Sequence, residues 1–497
     1  MTVFTRLLIH ALPLPLACAL LLAGCAVGPD YKRPDAPVSE AFKEADGTAG
    51  TADATAWSGD WKPAEPQDAL ARADWWTVFG DAQLDALMSE VQISNQNIKA
   101  AEAQYRQAVA ALQAARAGFF PIVDAQAGAS RARGASGNTL NGQSVTLGAT
   151  WEIDVWGRVR RQVESSEASA QASQADLAST LLSTQATLAQ SYFLLRVADA
   201  QKALLDRTVA DYQKSLQLVQ NQYAAGTAQR SDVLQSETQL KSAQAQQIDI
   251  QITRAQLEHA IAVLVGKPPA ALTLGADDFR TAPPRVPAAV PSQLLERRPD
   301  IGAAERRMAS ANAQIGVAQA AYYPTLSLSA SGGLTASTLA RWMSLPDRIW
   351  SIGGGLAGTL FDGGLRSAAK AQAVAAYDQT VANYRQTVLG AFQEVEDNLA
   401  AQRLLEQEAV VQNDALRSAR EALALVNNRY RAGTAGLLDV LTAQTSAYTA
   451  ERTALSIAGR QYTAAVVLIK AMGGGWHAPG AEATPAQAGT NQAVSQR

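Results

Sequence analysis

The sequence predicts a mainly α-helical chain that carries a β-barrel part, built as a tandem duplication of one helix–hairpin–helix unit. Three observations predict it. One phrase is spelled twice, NQYAAGTAQRSDVL at 221–234 and NRYRAGTAGLLDVL at 428–441, 207 positions apart. When 221–238 is laid on 428–445, ten of the 18 positions are identical, which chance does not give. Long runs free of glycine and proline carry apolar residues at helical spacing, and between them short segments alternate apolar and polar with a period of two. The shift between the halves stays between 203 and 209, so the repeat is a unit of about 200 residues, far longer than a solenoid repeat.

The first element is an export signal. Arg6 precedes an apolar stretch that ends in Leu22-Ala23-Gly24-Cys25. This segment resembles a bacterial lipobox, in which the signal (1–24) is cut before the cysteine and Cys25 receives a diacylglycerol and an N-acyl chain. Each buried CH₂ adds roughly 0.8 kcal/mol, so several chains anchor firmly. Ala26, rather than Asp, follows the cysteine, and the resemblance implies the outer membrane as destination. Cys18 leaves with the signal, so no internal disulfide is expected and packing must hold the exported chain together. Residues 25–67 read as a lipidated tether, rich in Ala, Asp, Glu, Gly and Thr with Pro37, Pro63 and Pro66, and 477–497 as a disordered tail.

The first repeat is expected over 68–274. Gln83 to Ala117 reads as helix and stops at Gly118-Phe119-Phe120-Pro121. Strands follow at about 121–134 and 143–156, with Val123, Ala125, Ala127, Ala129 and then Val145, Leu147, Ala149, Trp151, Ile153 on the apolar parity. A long helix at about 158–224 and a returning helix at about 231–265 complete the unit. After a connection at 275–298, the second repeat (299–476) places strands at about 324–334 and 349–362, a long helix at 365–431 and a returning helix at 437–472. A soluble sheet would show the same alternation; the lipid anchor and the long helices favour lipid-facing barrel staves with a polar lumen. Four strands cannot close a barrel, and an open edge in hydrocarbon costs several kcal/mol per unpaired group, so other copies must complete it.

Sixty-eight residues without Gly or Pro lie between Gly157 and Gly226, a rod of roughly 100 Å at 1.5 Å per residue. Ala168, Ala175, Leu182 and Ala189 fall seven apart, and Ala172, Ala186, Phe193 and Ala200 fall at multiples of seven, the spacing of wound helices. Two runs of 35 residues, 83–117 and 231–265, match one long rod, so each unit supplies one long and one composite rod. The repeated AGT phrase then sits where the long rod reverses, with Gly226 and Gly433 suited to the left-handed backbone that ends a helix. Asp232 and Asp439 stand in the first turn of the returning helices, where a carboxylate meets the positive end of the helix dipole.

Composition excludes several function classes. The formal charge is −3 with Lys and Arg scattered, no footprint for nucleic acid. The three histidines, His10, His259 and His477, draw no metal site. No P-loop or paired nucleophile and base is present, Glu394 and Glu396 read as a solvated helix face, and no enzymatic reaction is expected.

Five phrases in combination carry a family resemblance: CAVGPDYKRP after the lipobox, ADWWTVFGDAQLDAL at 73–87, LLERRPDI at 294–301, both AGT turns, and AMGGGW before the tail. From Cys25 to Trp476 the chain resembles the outer-membrane efflux factors of the TolC and OprM type, most closely the lipidated branch that works with resistance-nodulation-division pumps. The resemblance implies a homotrimer with a twelve-stranded outer-membrane barrel continuing into a periplasmic helical tunnel, needing no cofactor beyond the lipid on Cys25. It implies docking on a periplasmic adaptor and an inner-membrane pump, through tips at Ala225, Gly226, Thr227 and Ala432, Gly433, Thr434, with small toxic compounds leaving passively. It also implies a periplasmic gate in which Asp232 and Tyr430 are latch partners. Ala435 stands where a relative has the latch arginine, with Arg230, Arg429 or Arg431 as substitutes. Asp439 matches one acidic ring position, and Thr442 stands where a second Asp is common, which implies weaker cation binding. A conduit for secreted polypeptides and a lipid-anchored coiled-coil spacer are the other readings; a spacer needs no amphipathic strands.

Overall fold

A computed structural model of the protein describes residues 26–36, 42–44, 74–133, 137, 139–277, 279, 283, 297–336 and 348–474. The expected signal, Cys25, the tether from 45 to 67 and the tail 477–497 lie outside the described residues. A 3-10 turn, Trp75–Phe79, leads into α1 (Ala82–Ser94), α2 (Gln96–Ala117), β1 (Ile122–Arg133), β2 (Thr139–Ile153), α3 (Arg158–Ala224) and α4 (Arg230–Leu264). The second half runs α5 (Pro299–Ala320), β3 (Thr325–Ala336), β4 (Arg348–Ala357), α6 (Leu365–Arg431) and α7 (Leu437–Ala471). The chain divides into two compact units: Met1–Val38, Asn97–Thr180 and Pro299–Gly390 form one, and Ser39–Gln96, Leu181–Arg298 and Ala391–Arg497 the other.

The first unit holds a four-stranded antiparallel sheet in the order β1-β2-β3-β4. Its register aligns parity across every strand. Val123 pairs with Ala149, Ala149 with Ala330, and Ala330 with Ile352; Leu147 pairs with Ala125 and Gly332, and Gly332 with Trp350. Because successive side chains point to opposite faces, one face collects Val145, Leu147, Trp151, Leu328, Trp350, Ile352 and Leu356. The other collects Asp124, Gln126, Ser144, Thr146, Ser327, Ser329 and Ser351. The apolar face stands bare, with Trp350 78 % and Ile352 79 % exposed. On the polar face Ser331 and Ser351 hydroxyls meet at 2.9 Å.

Two strands stop short of their expected ends. β2 ends at Ile153 rather than 156 because Asp154 accepts from the backbone N–H groups of Val159 and Arg160, each at 2.9 Å, and so caps α3. β4 ends at Ala357 rather than 362, where Asp362 accepts from Gly364 N–H at 3.0 Å and Gly363 and Gly364 take positive φ. Segment 26–36, read as the start of a tether, is instead pinned along this unit. Val27 N–H donates to Trp156 O (3.0 Å), Asn312 donates to Pro29 O (2.9 Å), and the buried Arg161 pairs with Asp30 (2.8 Å). Arg33 meets Glu305 at 3.3 Å. Backbone carbonyls bound to side chains hold what composition alone marks as loose.

The second unit buries an aromatic cluster. Phe193 lies 4.4 Å from Tyr462 and 4.8 Å from Phe79 between ring centroids, and Trp75 is 2 % exposed. Among the heptad positions, Leu182, Ala186, Ala189 and Phe193 are buried here; Ala168, Ala172 and Ala175 are buried in the first unit. Small side chains at these positions let neighbouring backbones approach closely.

The run from Gln83 to Ala117 is not one helix. It breaks at Asn95, whose ψ of 127° is extended and whose side-chain amide donates to Leu264 O at 2.7 Å. The last carbonyl of α4 is thereby satisfied where α1 gives way to α2, the splice of a composite rod. The second repeat splices with different chemistry: Arg298, just before α5, donates to Ala471 O at 3.0 Å. The same guanidinium reaches Glu394 at 2.8 Å, and Lys470 reaches the other oxygen of Glu394 at 3.1 Å. Glu396 accepts from the N–H groups of Lys43 (2.8 Å) and Glu44 (3.0 Å). Both carboxylates are therefore structural, correcting the solvated face expected from sequence, because incoming segments 42–44 and 298 bring them partners that helical periodicity cannot reveal.

Gly266 tests the splice. It takes φ 72°, and a Cβ there would collide with the Ser94 carbonyl, whereas Gly226, at φ 75°, has open space around its Cβ position. Gly226→Ala should cost only the left-handed penalty, about 1–2 kcal/mol. Gly266→Ala should lower the thermal unfolding midpoint of the purified protein clearly further; equal midpoints would contradict the tight splice.

Candidate functional site: the paired helix-turn tips

Both tips lie in the second unit and close with the same hydrogen bonds. At the first, Ala225 N–H donates to Asn221 O (3.0 Å), Gly226 N–H to Tyr223 O (3.0 Å) and Thr227 N–H to Gln222 O (2.9 Å). At the second, Ala432 donates to Asn428 O, Gly433 to Tyr430 O and Thr434 to Arg429 O at 3.0, 3.0 and 2.9 Å. Gly226 (φ 75°) and Gly433 (φ 73°) are left-handed, so each long helix ends in a Schellman-type turn that satisfies its last carbonyls. The threonine hydroxyls add a second bond to the same carbonyls, Thr227 to Gln222 O at 3.0 Å and Thr434 to Arg429 O at 3.1 Å. This is the physical content of the repeated phrase: A ends the helix, G reverses it, T locks it.

The returning helices are capped from within. Asp232 accepts from Gln229 N–H and Asp439 from Gly436 N–H, both at 3.0 Å. Each carboxylate also sits in the first turn, where the helix dipole favours it. Asp232 forms no ion pair among the described residues. Arg429 donates to Thr434 O at 3.3 Å and so braces its own turn. Arg230 and Arg431 are exposed.

Tyr430 crosses between the repeats. Its hydroxyl donates to Gln222 Oε1 at 2.7 Å, tying the end of α6 to the end of α3. Burial, with the nearby Asp232 carboxylate adding to it, pushes the phenol above its usual pKa, so it stays neutral and able to donate through physiological pH. The hydrogen bond that Tyr430 makes is thus to Gln222, and the Asp232 carboxylate caps its own helix. Sequence reading singled out the tyrosine and missed its acceptor. A weak signal existed: Gln222 is matched in the second repeat by Arg429, one of five departures between the two 14-residue phrases.

Above the tips, further amides join the repeats. Gln239 Nε2 donates to Tyr212 Oη (3.0 Å) and Thr445 Oγ1 (2.9 Å), and Gln444 donates to Ser215 Oγ (3.1 Å). Asp439 and Thr442 stand three residues apart on α7 and are both exposed. Thr442 borders a groove with Leu234, Gln239, Leu438 and Thr445. Ala225, Gly226, Thr227, Ala432, Gly433 and Thr434 are all exposed. Such tips offer small, open surface and no cluster suited to a metal ion among the described residues.

Comparison with known proteins follows the same lines. The profile of a family described as outer membrane efflux protein matches residues 87–267 and 290–474. The chain is 30 % identical over 476 residues to TtgC of Pseudomonas putida, a probable efflux pump outer membrane protein, covering 92 % of this chain and 94 % of the relative. It is 28 % identical to the cation efflux system protein CusC of Escherichia coli, covering 93 % of this chain and 99 % of that one. Among solved structures, the outer-membrane channel OprN aligns with a TM-score of 0.81 at 30 % identity, covering 91 % of this chain and all of the other. The open state of the Neisseria gonorrhoeae MtrE outer membrane channel aligns with a TM-score of 0.78 at 28 % identity, covering 91 % and 98 %.

The Tyr430–Gln222 bond is measurable. Tyr430→Phe and Gln222→Ala should each cost about 1 kcal/mol, and the double variant no more than the larger single, giving a coupling of about 1 kcal/mol in urea unfolding. Since the phenol's pKa is raised on folding, this contribution is complete below about pH 10, the ordinary tyrosine value, and declines only as pH rises above it. Additive single costs would show that the two side chains act separately.

Proposed function

The chain belongs to the outer membrane efflux protein family, and from that premise we propose that it is the outer-membrane channel of a tripartite efflux system, a passive exit for small toxic compounds. The observation that carries this reading is the sheet. Among the described residues its apolar face is left bare and its two edge strands, β1 and β4, are unpaired on their outer sides. Among the described residues no helix is long and apolar enough to cross a membrane. Unpaired edge groups cannot remain in hydrocarbon, so β4 of one copy pairs with β1 of the next. Three copies of a four-stranded sheet make twelve strands in a closed barrel, apolar outside and hydroxyl-lined within.

Cys25, carrying diacylglycerol and an N-acyl chain, anchors the mature N-terminus beside this barrel. Segment 26–36, bound down to Trp156, Asn312 and Arg161, supports that placement because it holds the residue after Cys25 close to the foot of β2. The tips Ala225–Thr227 and Ala432–Thr434 receive a periplasmic adaptor, which connects the channel to an inner-membrane resistance-nodulation-division pump that supplies the energy. Small side chains and open space around Gly226 and Gly433 suit the packing of foreign helical hairpins. Asp232, Tyr430 and Arg431, with Asp439 and Thr442 on α7, form the constriction, and the bond Tyr430 makes to Gln222 is the latch that adaptor binding releases, a population shift from closed to open.

Two measurements test this. The detergent-purified protein should have the mass of a trimer and conduct ions in a planar bilayer; a monomer without conductance would end the channel reading. Tyr430→Phe combined with Asp232→Ala should raise the mean conductance several-fold over the wild type, since each removes a contact or a cap at the constriction, while unchanged conductance would remove these residues from the gate and leave the channel standing.

A further inference from the structure

Charge on the sheet is sorted by face. The strands' two carboxylates, Asp124 on β1 and Glu152 on β2, stand on the polar face. Three arginines stand on the other. Arg131 and Arg133 continue the parity of Val123, Ala125, Ala127 and Ala129, and Arg348 precedes Trp350 and Ile352 at the same parity. The register agrees, since Arg348 pairs with Leu334, Leu334 with Val145, and Val145 with Ala127.

All three arginines lie at one end of the sheet. β1 starts five residues after α2 and β2 ends five residues before α3, so the turn between Arg133 and Thr139, like the one between Ala336 and Arg348, is at the end remote from the helix junctions. Their side chains are exposed, and none has an ion-pair partner among the described residues; Arg133 Nε donates to Gly137 O at 3.2 Å. Opposite them in the register are Thr139 and Asn141, with Gln143 across from Ala129. Arg131 and Arg133, with Thr139 and Asn141 across from them, crown the β1–β2 hairpin, and Arg348 opens β4 level in the register with Ala127, all on an apolar face that carries no anion among the described residues. Nearby Arg341 and Asp347 lie outside them.

An arginine facing lipid is costly at the bilayer centre and nearly free at the interface, so this rim must sit at headgroup level, with Trp350 just below it. With the helices in the periplasm, the hairpin end meets the outer leaflet. We propose that Arg131, Arg133 and Arg348 bind the phosphate groups of lipid A, each guanidinium offering paired N–H donors to phosphate oxygens and Thr139, Asn141 and Gln143 completing the donor set. The inference rests on the channel reading and names the lipid partner of its barrel.

The test uses the full chain purified in detergent, as wild type and as the triple variant Arg131→Gln/Arg133→Gln/Arg348→Gln. Binding of bis-phosphorylated lipid A, dephosphorylated lipid A and phosphatidylglycerol is read by native mass spectrometry, and conductance is read in phosphatidylcholine bilayers. Wild type should bind phosphorylated lipid A about tenfold or more tightly than the other two, at a gain of about one decade or better for three interfacial cations. The Gln variant should lose that margin with unchanged conductance, and lysine at the three positions should restore most of it. Equal binding of dephosphorylated lipid A, or full affinity in the Gln variant, would overturn the phosphate site while conductance keeps the channel reading intact. Equal binding of phosphatidylglycerol would overturn the assignment to lipid A. A wild type that does not conduct would remove the channel reading and this site with it.

Discussion

Everything in this molecule answers to the hydrogen bonds that a four-stranded sheet leaves unmade at its two edges. Strands β1 and β4 each present a row of N–H and C=O groups with no sheet partner among the described residues. In water such edges invite aggregation; in a bilayer they are untenable. Leu, Ile and Trp on one face and Ser, Thr and Gln on the other would also suit a sheet packed on a soluble core, but here the apolar face stands bare, with Trp350 and Ile352 exposed. In the proposed barrel, pairing between copies resolves edge and face together, because the pairing that satisfies the backbone also closes the polar face around a lumen.

Duplication supplies the strands in pairs and then imposes a second problem, the splicing of helices. The last carbonyl of each returning helix would be left bare without a donor. The two repeats solve this differently. Asn95 uses a neutral amide to reach Leu264 O, and Arg298 uses a guanidinium to reach Ala471 O while also engaging Glu394. The second solution recruits Lys470 as well, so one buried cation stands among paired charges rather than alone. Equivalent geometry has been kept through unlike chemistry, which is why the splice shows no repeated phrase, whereas the tips, whose geometry depends on a left-handed glycine, do.

That contrast explains what could be read from the chain. Alternation with period two is a local property, and the parity of Val145 through Ile153 against Leu326 through Ala330 already states which side chains share a face. The AGT turns are local as well, since Gly226, Thr227 and their carbonyl partners lie within six residues. Asn95 is different: nothing in Gln83 to Ala117 demands a break, and the carbonyl that recruits the Asn95 amide belongs to a residue 169 positions away. Glu394 and Glu396 look solvated for the same reason, their partners arriving from segments that sequence periodicity cannot place. Segment 26–36 has the composition of a tether, but its order comes from Arg161, Asn312 and Tyr384, which reach it from distant helices. Local rules fix elements and turns; contacts that span the chain decide breaks, caps and straps.

At the tips the two repeats diverge in a way that turns duplication into a device. If the halves were identical, Tyr223 would face the residue matching Gln222, as Tyr430 faces Gln222 itself. That matching residue is Arg429, which is spent on Thr434 O, and Tyr223 is left 46 % exposed. Among the described residues the tyrosine of only one tip therefore makes this cross-repeat bond. The bond joins two neutral groups, and the burial that raises the phenol's pKa protects it from titration. A single neutral hydrogen bond is worth about 1 kcal/mol net, so this one ties the two turns together only lightly. The acidic residues beside it are already engaged in capping their own helices, Asp232 through Gln229 N–H and Asp439 through Gly436 N–H. The two carboxylates thus serve their own helices, while the Tyr430 hydroxyl spans the repeats.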